Sequence, residues 1–191
     1  LKGQPELQAE VLGTVERVWD LLGDSARSQA TADRRTEVML RAGDSVGAAE
    51  SLLSSAETAL KLNDHAVVAD RLTRIGSLVG PAGMSVGFRA RVALIRGALQ
   101  SELGDRSAAV ASLSQAIADS RTAGDRRTLF FSLIGRVFAL RSSGDPVQLR
   151  KDIAEAEALV PVLEGERIDS LGYRLQVTVQ RYVIGDYRGG W

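Results

Sequence analysis

The residues with chemical potential are few and scattered. The single histidine, His65, follows Asp64 at an expected helix start, where a proton shuttle or a ligand would be its functional role. With no second His and no Cys to cooperate with it, an exposed first-turn residue is the expectation. Glu155 with Glu157, and Glu164 with Glu166, are the candidate acid–base pairs by proximity. Residues two apart on a helix point to different sides, so these carboxylates are expected to be solvated surface charge. Gly80-Pro81-Ala82-Gly83 and Gly189-Gly190 raise the question of a phosphate loop, but neither has the Lys-Ser/Thr ending or the preceding buried strand. Gly80 to Gly83 is expected to be an interhelical loop. Arg167, Arg174, Arg181 and Arg188 recur every seven residues, which sets the first three along one helical stripe. Such a stripe suits an acidic peptide, phosphate groups or a neighbouring domain; the competing role is a solvated outer face whose aliphatic stems cover apolar surface. None of this assembles a catalytic centre. The expectation is no enzymatic activity, no cofactor and no metal.

The composition narrows the partners. Among 191 residues, 24 basic and 24 acidic side chains leave no net charge. That removes the basic excess on which nucleic-acid or anionic-membrane binding depends, so neither partner is expected. The absence of Cys excludes a disulfide scaffold and thiolate metal sites. The most apolar window, Leu129 to Leu140, is broken by Arg136 and is too short to span a bilayer. A cytoplasmic protein is expected. Arg outnumbers Lys 21 to 3, the usage of a GC-rich bacterial genome.

What must position any functional group is a comb of turns. Gly-Asp occurs at Gly23-Asp24, Gly43-Asp44, Gly104-Asp105, Gly124-Asp125, Gly144-Asp145 and Gly185-Asp186, with Asn63-Asp64 among them. Asp24, Asp64, Asp105, Asp145 and Asp186 are spaced by 40, 41, 40 and 41 residues, and Asp44, Asp125 and the loops near Gly83 and Gly165 bisect those intervals. Gly accepts the left-handed conformation that closes a helix, with Asn next best. The following Asp accepts hydrogen bonds from the free N–H groups of the next helix. Each pair therefore ends one helix and starts another, and so short a link makes the neighbours antiparallel.

Between the turns the apolar residues have helical period. Ala109, Val110, Leu113, Ala116 and Ile117 form one face; Val92, Leu94, Ile95, Ala98, Leu99 and Leu103 form another, as do Leu149, Ile153, Ala156 and Leu159. The segment Ser25 to Thr36 is polar and is expected to be partly loop. A period of 40 residues built from helix pairs predicts an all-α fold, an α-solenoid of antiparallel pairs forming a single domain of about four and a half repeats, with a four-helix bundle as the structural alternative. Asp44 also fits as a turn inside a repeat, with Ala48 and Leu52 following it, so the register of the first pair stays open. The start at Leu1 and the stop at Trp191 soon after Gly185-Asp186 are read as a cut through a longer array.

The stretch Arg91 to Ala123, with its core VALIRGALQSELGDRSAAVASLSQAIADSRTA, resembles a tetratricopeptide repeat. Small residues eight before the turn Asp (Ala56, Gly97), a small residue four after (Ala109), a bulky one eight after (Leu72, Leu113, Ile153) and a small one eleven after (Ala116, Ala156) fit that family, as do Trp19 and Pro161. The aromatic position is Ala59, Gln100, Leu140 and Arg181 elsewhere, and the unit is about 40 residues instead of the usual 34. Longer units of this kind are similar to the repeat regions of bacterial LuxR-type transcription activators, signal-transducing ATPases and some serine/threonine kinases. The resemblance implies that the first helix of each pair lines a concave groove, at Arg17, Asp20, Glu50, Glu57, Lys61, Arg91, Glu102, Phe131, Ile134, Phe138, Arg141, Val179 and Tyr182. It implies a scaffold that binds a peptide, a protein partner or another domain of the same polypeptide, with a small-molecule effector as the alternative. The binding candidates are Arg91, Phe131, Ile134, Phe138, Arg141, Arg174, Arg181 and Tyr182. The competing role for Phe131, Phe138 and Tyr182 is simple core.

Overall fold

The computed structural model describes residues 4–141, 145–165, 174 and 176–180. They form eight α-helices: α1 Pro5–Leu22, α2 Ser25–Arg41, α3 Ser45–Lys61, α4 His65–Leu78, α5 Val86–Glu102, α6 Arg106–Ala123, α7 Arg126–Leu140 and α8 Pro146–Gly165. A short 3₁₀ turn, Pro81–Gly83, precedes α5, and residues 176–180 are helical as well. Among the described residues there is no strand. The fold is all-α.

The turn residues act as their chemistry requires. Gly23, Gly43, Gly104 and Gly124 have φ of 74°, 77°, 84° and 69°, and Asn63 takes 57° in the same role. Each following Asp serves both helices it joins. Its backbone N–H donates to the carbonyl five residues back, as from Asp24 to Trp19, Asp44 to Met39, Asp64 to Ala59, Asp105 to Gln100 and Asp125 to Ser120, closing the preceding helix. Its carboxylate accepts the N–H three residues on, at Arg27, Gly47, Val67, Ala108 and Thr128, and Asp145 does the same for Gln148. The comb is interrupted after α4. There Val79 leaves the helix in extended conformation, and Ser85 Oγ accepts the N–H of Phe88 to open α5. Gly80 to Gly83 is an interhelical loop.

Just beyond this loop the chain divides into two compact units, residues up to Phe88 and residues from Arg89. In the first, α2 packs on α1 and on α3, and α3 on α4. Its core is rich in small side chains: Ala9, Ala32, Ala48, Ala49, Ala56 and Ala59 are buried around Leu52, Leu53, Val68 and Ile75. Small residues let helix axes approach closely. In the second unit α7 packs between α6 and α8, around Ile117, Phe130, Leu133, Val137, Ile153 and Leu163. Helix α6 meets α5 where a Cβ on Gly97 would lie 2.6 Å from Leu113 Cγ. Ala56, Ala109, Ala116 and Ala156, which carry the small-residue pattern, are all fully buried. Consecutive helices packed in chain order are the arrangement of a helical repeat fold.

Two expectations need correction. Ser25 to Thr36 is helical throughout, because its polar groups find partners that spacing alone does not reveal. Ser28 donates to Asp20, Thr31 and Thr36 bond carbonyls one turn back, and Asp33 accepts from Arg71 and Arg74. Leu103, placed on the apolar face of its helix, is 63% exposed in the turn beyond α5.

Candidate functional site

Of the candidate acid–base carboxylates, Glu155 is held by an arginine between helices, while the side chain of Glu164 and the whole of Glu166 lie outside the described residues. Glu155 receives both guanidinium N–H groups of Arg121, at 3.0 and 2.6 Å, across α8 and α6. Buried Asp119 on α6 is gripped by Arg89 through two bonds of 2.7 Å and by Gln115 at 3.0 Å. The Arg89 bonds hold the Asp119 carboxyl below its ordinary range; burial opposes them and Gln115 adds to them. Arg136, which interrupts the apolar window, forks onto Asp152 at 2.8 and 2.7 Å and reaches Ser114 at 3.0 Å. Gln148 donates to the same Asp152 at 2.7 Å. This network ties α6, α7 and α8. His65 opens α4 half-buried. Among the described residues no group of His, Asp or Glu is placed to hold a metal ion, and no helix is long and apolar enough to cross a membrane.

In the first unit the groove candidates Asp20 and Lys61 line one cavity of about 230 Å³ with Leu21, Gly23, Ser25, Thr58 and Leu62. Asp20 also accepts hydrogen bonds from Ser28 and Thr58, so it joins α1 to α2 and α3. On α1 and α2, Glu16 and Arg35 form a pair of 3.5 Å, long for a buried one. Burial raises the Glu16 carboxyl above its ordinary 4.5, and Arg35 only partly offsets this.

The second unit presents a different surface. Arg127, Phe131, Ile134, Phe138 and Arg141 stand at steps of four, three, four and three, which is one stripe along α7. Ile134 is buried in the core at one edge of this stripe. Phe131 is half-buried, packs against the core and meets buried Phe130 edge-on at 5.5 Å. Phe138 is 42% exposed, and the Arg141 guanidinium carbon lies 4.1 Å from its ring centroid. At the other end Arg127 sits over Phe131 at 6.0 Å. An arginine stacked on a ring keeps its N–H edges for a carboxylate while its face covers apolar surface. The stripe therefore offers aromatic surface flanked by cation at both ends.

Of the sequence candidates, the structure brings Phe131, Ile134, Phe138 and Arg141 together on α7. Arg91 is half-buried on α5, and Arg174 is exposed. Arg181 and Tyr182 lie outside the described residues. Arg127 completes the stripe; its signal was the four-residue step to Phe131. No protein-family model, curated protein or solved structure matches the chain.

Proposed function

We propose that the chain is a non-catalytic interaction module, a right-handed tetratricopeptide-like solenoid of about 40 residues per repeat that holds a peptide or protein segment against α7. The carrying observation is Phe138, a large aromatic 42% exposed and stacked by Arg141. Exposed aromatics and arginines in one patch are the residue types that anchor protein interfaces. The segment it fits has an aliphatic or aromatic centre with acidic residues on either side, one for Arg127 and one for Arg141. A bacterial signalling or transcription regulator, acting in the cytoplasm, is the setting this reading implies. An effector-sensing role is the rival. The effector would occupy the same groove.

Fluorescence anisotropy with a set of acidic–apolar–acidic peptides tests it. Phe138→Ala and Arg141→Ala should each weaken the best peptide roughly tenfold, the loss of an interface anchor, with the thermal midpoint nearly unchanged. Peptide binding indifferent to both variants would refute the site. A saturable thermal shift by a small effector, insensitive to both, would favour the sensor.

A further inference from the structure

The cavity of the first unit is lined by two opposite charges, Asp20 and Lys61. Asp20 Oδ1 accepts from Ser28 of α2, and its Oδ2 accepts from Thr58 of α3 at 3.3 Å. The two hydroxyls orient this carboxylate without neutralising it, and among the described residues no cation pairs with it. Lys61, exposed in the last turn of α3, has no anion partner among the described residues either. Ser25 adds a hydroxyl to the lining, and Leu21 and Leu62 add apolar wall. Because Asp20 bonds both α2 and α3, the cavity lies on the side of α1 that faces the helices following it.

The repeat does not impose this polar set. Asp20 stands four residues before its turn Asp, where the other repeats have Leu60, Ser101 and Arg141. Thr58 stands six before, at the place of Val18, Leu99 and Ala139. Lys61 stands three before, at the place of Leu21, Glu102 and Ser142.

We infer that this cavity binds a free α-amino acid with an aliphatic side chain. The ligand's ammonium donates to Asp20, its carboxylate takes Lys61 and the Ser25 hydroxyl, and its side chain lies on Leu21 and Leu62. Each end thus makes a charge-assisted hydrogen bond. An α-amino acid carries both charges on one carbon, so both are met within one small cavity. A peptide end, a simple amine or a simple anion answers only one of them. A cavity of about 150 Å³ holds benzene, and about 230 Å³ takes an amino acid of leucine size. This site is separate from the peptide site on α7 and does not depend on it.

Isothermal titration of the 191-residue chain with L-leucine is the test. The expected result is saturable binding, one molecule per chain. N-acetyl-leucine, which lacks the ammonium, and isopentylamine, which lacks the carboxylate, should each bind roughly tenfold more weakly or worse, the loss of one bond to a charged group. Lys61→Met should weaken leucine by a similar factor with the helical circular dichroism intact, since Lys61 is exposed. Asp20→Asn should weaken it as well; should that variant loosen the unit, Lys61→Met still decides. Phe138→Ala should leave leucine binding unchanged, which keeps this result apart from that of the peptide assay. Absence of leucine binding through the millimolar range overturns the inference. So does equal binding of leucine, its N-acetyl derivative and the amine, or leucine binding that Lys61→Met does not move.

Discussion

Removing the Asp152 carboxylate should be among the most damaging single changes available in the second unit. Asp152 is 1% exposed and accepts three hydrogen bonds, two from Arg136 and one from Gln148, all between 2.7 and 2.8 Å. In Asp152→Ala the Arg136 guanidinium keeps Ser114, yet its side chain is only 13% exposed. Stranding a buried charge costs about 3–5 kcal/mol. The slight exposure of Arg136 lets water reach part of it, so the lower end, about 3 kcal/mol, is expected. For a unit of roughly a hundred residues this corresponds to about 12 °C or more in thermal midpoint.

Urea denaturation followed by far-UV circular dichroism measures the loss, and hydrogen exchange locates it. Amides of α6, α7 and α8 should exchange faster, while those of α1 to α4 keep their protection. Asp152→Asn keeps one acceptor oxygen but turns an N–H₂ donor toward an Arg136 donor and leaves the guanidinium without its counter-charge, so it should lose nearly as much as Asp152→Ala. Replacing both partners, Arg136→Met with Asp152→Leu, should fall within about 1 kcal/mol of wild type, since a buried pair exchanged for apolar groups is often neutral. A loss below about 1 kcal/mol in Asp152→Ala would refute the reasoning, showing the network to be a bystander of packing.

Other perturbations test the turns, the packing and the buried acid. Asp105→Ala should cost about 1 kcal/mol through loss of the cap on Ala108, and Gly124→Ala about 1–2 kcal/mol through its left-handed backbone, both read by urea midpoints. Gly76→Ala, where a Cβ meets nothing within 4 Å, should stabilise by about 0.5–1 kcal/mol. Gly97→Ala should instead destabilise, because its Cβ would lie 2.6 Å from Leu113; equal gains at both sites would contradict the packing. Glu16, raised above 4.5 by burial, binds its proton more tightly folded than unfolded. Its contribution is thus full in acid and lost as pH rises through its folded value. Denaturation across pH should show Glu16→Gln removing that decline, and a variant effect confined to acid would reverse the sign and sink it.

The turns were legible because their determinants are local. A left-handed glycine and a carboxylate cap need no residue from elsewhere, so Gly104-Asp105 reads the same in the sequence as in the fold. Segment α2 was illegible for the opposite reason. The polarity of Ser28 and Asp33 argues for loop until Asp20, Arg71 and Arg74 are brought beside them from α1 and α4. Arg136 looked like a break in an apolar run, and its partner Asp152 stands on the next helix. On α7 the stripe was readable as a spacing, but only packing distinguishes Ile134, buried, from Phe138, exposed, on the same face.

The same distinction bears on function. Arginine–carboxylate forks at Asp119, Asp152 and Glu155, and the grip of Arg71 and Arg74 on Asp33, commit these acids to holding helices together. A general acid or base must be able to exchange its proton with a substrate near working pH, and a carboxylate such as Asp119, held below its ordinary range by an arginine, is a poor one. Helix faces do not carry that burden. Phe138, 42% exposed and stacked by Arg141, presents apolar surface that water solvates badly beside a cation. On the proposed reading, recognition falls to that face while these carboxylates serve as struts between helices.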